Sequence, residues 1–93
     1  MSDADSPDFS ALGGHGDDEQ QAVDAVRAVV AWYSAQIVTE RRSPVRDEDR
    51  IQELSTARQA ALEDQARAEA ASPEELARIA ADYAARLKGL KDQ

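Results

Sequence analysis

The strongest constraint on this chain is the spacing of its large apolar residues between Val23 and Val38. Val23, Val26, Val30, Tyr33 and Ile37 recur at alternating steps of three and four, which sets all five along one side of an α-helix. Such a seam has to be covered by another helix. The same segment has a second apolar surface. At about 100° per residue, Trp32 lies more than about 90° from the centre of the seam, with Ala25 and Val29 beside it and Gln36 at its edge. This second surface has two readings. It packs against a third helix, so that a central helix touches two neighbours, or Ala25, Val29, Trp32 and Gln36 form a dimer or partner interface anchored by the tryptophan. A dimer whose core is shared between chains would satisfy both.

The ends of the helices follow from local chemistry. Asp17 and Asp18 suit the positive end of a helix dipole, Arg41 and Arg42 suit the negative end, and Pro44 disfavours helical geometry at Ser43. The first helix is therefore expected over 18–42. Asp47 is the expected N-cap of a second, over 47–71, with Glu48 and Asp49 in its first turn. Its stripe of Ile51, Leu54, Ala57, Ala61, Leu62 and Ala68 is thin and interrupted by Arg58 and Gln65, so its C-terminal half is the part expected to fray. Ser72, Pro73 and Glu75 make the sharpest local signal: a cap, a proline at the first helical position and the acid that completes a capping box. A third helix is expected over 73–90, with Leu76, Ile79, Tyr83, Leu87 and Leu90 inward and Glu74–Arg78 and Asp82–Arg86 as surface pairs. Gly89 should weaken its last turn.

Short connections favour antiparallel neighbours. The expected fold is all-α: an elongated antiparallel helical hairpin, coiled-coil-like in its packing, closed by a shorter third helix as in a three-helix bundle. The competing arrangement lets the second and third helices run on nearly collinear. Ninety-three residues allow one domain, and much of the 42% apolar content is alanine, which buries little. Chains with so little to bury often add a partner or a second copy, so self-association, a homodimer above all, is expected.

Residues 1–17 mix Ser, Asp, Gly and Pro and read as a disordered acidic tail, in which Phe9 and Leu12 are the bulky apolar residues. Within residues 1–19, Asp3, Asp5, Asp8, Asp17, Asp18 and Glu19 stand without a single Lys or Arg, and so carry 6 of the 8 net negative charges. The other 13 acidic and 11 basic residues leave the helical body at only -2. Mimicry of DNA, which needs ranks of carboxylates on the folded surface, is a poor match to that distribution. Arg41, Arg42, Arg46 and Arg50 cluster at the first turn between helices, where they could contact phosphates. Glu40, Asp47, Glu48 and Asp49 are interleaved with them, and no stacking aromatic accompanies them.

No catalytic constellation is present. Ser34, Thr39, Ser43, Ser55, Thr56 and Ser72 have no histidine placed to activate them, and the one histidine, His15, has no second ligand near it for a metal. No cofactor and no small-molecule substrate are implied. Cysteine is absent, which excludes disulfides and thiolate chemistry. A helical hairpin of this length resembles the small secreted WXG-type proteins, but the marker residues differ. Trp32 stands in mid-helix followed by Tyr33 and Ser34, and Tyr83 is followed four residues on by Leu87 instead of an acid. That family's secretion role is not implied. Neither a secretory leader nor a membrane span is evident, and a cytoplasmic location is the simplest expectation.

The sequence therefore predicts a protein that acts by binding: a regulatory or interaction module, for which an antitoxin or inhibitor is one form, with nucleic-acid association through the arginine-rich turn as the alternative.

Overall fold

The computed structural model describes residues 14–93, with side chains from Asp18 onward. Three helices follow one another: α1 over Gly14–Arg42, α2 over Glu48–Ala68 and α3 over Pro73–Lys91. The segment read as a disordered tail lies, for residues 1–13, outside the described residues. Residues 14–17 already belong to α1, four residues ahead of the expected start. At 1.5 Å per residue α1 is about 43 Å long, and the molecule is elongated, 59 × 29 × 18 Å.

The caps are formed as their residues require. Asp47 accepts from the Arg50 backbone N–H at 3.0 Å and opens α2. Ser72 accepts from the Glu75 N–H at 3.2 Å while the Glu75 carboxylate accepts from the Ser72 N–H at 3.4 Å, completing the capping box with Pro73 just inside. The same cap explains why α2 stops at Ala68, three residues short of the expected end. Ser72 must be extended (φ -71°, ψ 163°) to cap α3 and to precede proline, so the chain leaves the helix before it.

Helix α1 is the centre of the fold. It packs along most of its length against α2 on one side and α3 on the other, while α2 and α3 scarcely meet. Both connections reverse the chain. Ala22 near the start of α1 meets Ala68 at the end of α2 and Leu76 at the start of α3, in one small cluster. A larger cluster joins Val26, Val29, Tyr33 and Ile37 of α1 to Ile51, Leu54 and Ala61 of α2 and Tyr83 of α3. The collinear arrangement of α2 and α3 is thereby excluded, because α3 turns back along α1.

The core is thin. Eleven apolar residues are buried among the described residues, three of them alanine, and the largest side chains enclosed entirely are only Val26 and Val29. The expected surface pairs on α3 are not formed: neither Glu74 with Arg78 nor Asp82 with Arg86 comes within ion-pair distance. An exposed pair gains too little to hold two long side chains in register. Arg86 lies over the Tyr83 ring instead, 4.4 Å from its centroid.

Candidate interaction site

The two apolar surfaces of α1 meet different neighbours. Val26, Tyr33 and Ile37 of the seam are buried, Val23 and Val30 partly so. On the second surface Val29 has no exposed area at all. Ala25, beside Leu76, Ala80 and Ala84, looks into the shallow trough between α1 and α3. Trp32 is half-buried, packs against the main cluster and meets Tyr33 edge to face, with centroids 5.6 Å apart and planes at 80°. Gln36 is also partly exposed. Ala25 of this surface thus faces α3, and Val29 is enclosed by the main cluster. Of the four residues assigned to a partner face, Val29 is wholly core, and what a partner can reach is the outer part of Ala25, Trp32 and Gln36.

The arginines at the α1–α2 turn divide into two pairs. Arg46 lies 3.3 Å from Glu48 and Arg50 lies 3.8 Å from Glu53, so each has a carboxylate beside it. Arg41 and Arg42, in the last turn of α1, are exposed, and among the described residues no carboxylate stands within ion-pair distance of either. The two large apolar residues most exposed are found in the same region: Val38 at 45% and Val45 at 83%.

Two polar contacts between helices were not expected from the sequence. The Arg58 Nε–H donates to Ser34 Oγ at 2.7 Å, partly buried between α1 and α2. The signal for it was Arg58 itself, an arginine set into an apolar stripe opposite a small hydroxyl. It shares a surface groove with Ser34, Ile37, Val38, Arg41, Ser55 and Gln59, in which both charged side chains are arginines. The second contact joins α2 and α3, which otherwise barely touch. The Tyr83 hydroxyl donates to the Asp64 carboxylate, and Arg67 holds the other oxygen of that carboxylate at 2.6 Å. Burial of Tyr83, then the hydrogen bond and negative charge of Asp64, push its phenol up to about 12, against the smaller opposing effect of Arg86. No spacing rule marks this pair, because its members come from different helices with 18 residues between them.

Among the described residues no group of three or more His, Asp or Glu side chains is arranged to hold a metal ion, and no helix is long and apolar enough to cross a membrane. Compared with known protein families, with characterised proteins and with solved structures, the chain has no significant match.

Proposed function

We propose that this protein is a helical protein–protein interaction module that acts by binding, and that its first partner is a second copy of itself. The observation that supports this reading is the thin core. A helix about 43 Å long is covered by two shorter ones, with three alanines among eleven buried apolar residues. A tryptophan on the central helix is left partly exposed. At roughly 25 cal/mol per Å² of apolar surface buried, alanine contributes little, and a second copy would add what the single chain lacks. Tryptophan is also the residue most often found to anchor an interface.

The test is molar mass by light scattering after size exclusion, over a concentration series, for the wild type and Trp32→Ala. A dimer that Trp32→Ala dissociates while helicity is retained supports the module and puts Trp32 in its interface. A folded monomer at every concentration overturns self-association. The pairing of Arg46 and Arg50 with neighbouring carboxylates gives nucleic-acid binding no comparable support.

A further inference from the structure

The groove between α1 and α2 at the Arg41 end has a chemistry that the helical core does not use. Its polar walls are the guanidinium groups of Arg41 and Arg58, the hydroxyls of Ser34 and Ser55 and the amide of Gln59. Arg58 spends one N–H on Ser34, and its remaining donors have no carboxylate within ion-pair distance among the described residues. Val38, 45% exposed, supplies an apolar wall. Two cations, neutral hydrogen-bonding groups and an uncovered valine suit a peptide that alternates carboxylates with bulky apolar side chains. A phosphate backbone would use the arginines and leave the valine wet.

A segment of that composition exists in this chain. Residues 3–12 hold Asp3, Asp5, Asp8, Phe9 and Leu12 and no cation. We propose that the Ser34–Val38–Arg41–Arg58 groove docks residues 3–12 of a second copy, Asp5 and Asp8 meeting the arginines and Phe9 or Leu12 covering Val38. The proposal rests on the self-association reading and names the contact. Charge complementarity selects the segment, and reach selects the copy. From the start of α1 at Gly14 to Val38 is about 36 Å along the helix. Phe9, five residues before Gly14, can lie no more than about 18 Å from it, and Leu12 lies closer still. Neither can reach the groove of its own chain. Two copies with their first helices side by side and antiparallel bring each segment to the other's groove, a reciprocal exchange about a two-fold axis.

The absence of native cysteine permits a direct test. Ser10→Cys, carrying a nitroxide spin label, is mixed with ¹⁵N-labelled wild-type chain, so that any broadening of amide signals comes from another molecule. Light scattering on the same mixture reports the mass. The expected result is a dimer in which the Val38, Arg41, Ser55 and Arg58 amides broaden, with the effect lost in 0.5 M salt. Arg41→Glu, a change at an exposed residue, should weaken dimerisation about tenfold, since it sets a carboxylate against the incoming aspartates. Asp5→Lys combined with Asp8→Lys should restore it. A dimer without broadening in the groove overturns the docking and leaves self-association standing. A monomer at every concentration overturns both.

Discussion

Tyr83 carries more of the structure than its place on the shortest helix suggests. Its ring is 2% exposed and its hydroxyl reaches across to Asp64, so one residue fills the core and also ties α3 to α2. Burial and the carboxylate both disfavour the phenolate, which sets the sign of the pH dependence. With a folded pKa near 12 against about 10 when unfolded, the neutral phenol stabilises the fold fully below pH 10. That contribution is lost as pH rises from 10 to 12, because the unfolded chain gives up its proton first. Tyr83→Phe keeps the ring and removes the donor. Asp64 retains Arg67, so the change should cost about 1–2 kcal/mol at neutral pH. Urea denaturation at pH 8 and at pH 11 checks both parts: the gap between wild type and variant should narrow at the higher pH. A gap that stays constant would show that the buried hydroxyl titrates as it does in the unfolded chain, with no upward shift.

At the scale of the helices, α3 is stabilised from its two ends in different ways, and single substitutions separate them. Ser72→Ala removes the acceptor of the capping box and should lower stability by about 1 kcal/mol. Gly89→Ala should raise it by about 0.5–1 kcal/mol: Gly89 has no positive φ, and nothing stands within 4 Å of an added Cβ. Thermal unfolding of the two variants should therefore move in opposite directions, and an unchanged midpoint for Ser72→Ala would mean that the α3 terminus is already frayed. These ends were legible in the sequence because each depends on residues three or four apart: Ser72 with Glu75, Asp47 with the turn it opens. The all-α hairpin with its third helix was legible for the same reason, from periodicity. What spacing cannot carry is which neighbour covers which face. Val29 and Trp32 stand together on the second surface of α1, yet Val29 is sealed beneath the fold and Trp32 is partly open. The Asp82–Arg86 pair looked sound as an i,i+4 contact, but the Tyr83 ring drew Arg86 over it. The Arg58–Ser34 and Tyr83–Asp64 bonds join helices whose relative rotation only tertiary packing decides.

For the whole molecule the governing fact is the mismatch between length and enclosed volume. Among the described residues two valines are the largest side chains sealed completely, and α2 and α3 share little beyond one hydrogen bond, so α1 carries most of the connection between the two halves of the core. A chain of this build gains more from a partner than a compact one would, because any surface that covers the groove or the open side of Trp32 adds apolar burial that the monomer does not have. If the folded state is the species that associates, mass action couples that gain to stability. At a free concentration 100 times the dissociation constant the stabilisation is about 2.7 kcal/mol. In a domain of this size each kcal/mol moves the midpoint by roughly 4–8 °C. Raising the protein concentration a hundredfold should therefore lift the melting midpoint by several degrees, and 0.5 M salt should reduce that rise if aspartates and arginines contribute to the contact. Differential scanning calorimetry at the two concentrations, each at low and high salt, measures both effects. A midpoint independent of concentration would show a chain that folds and remains alone. A concentration-dependent midpoint that salt leaves unchanged would locate the association on the apolar side of α1, at Trp32, and away from the arginines.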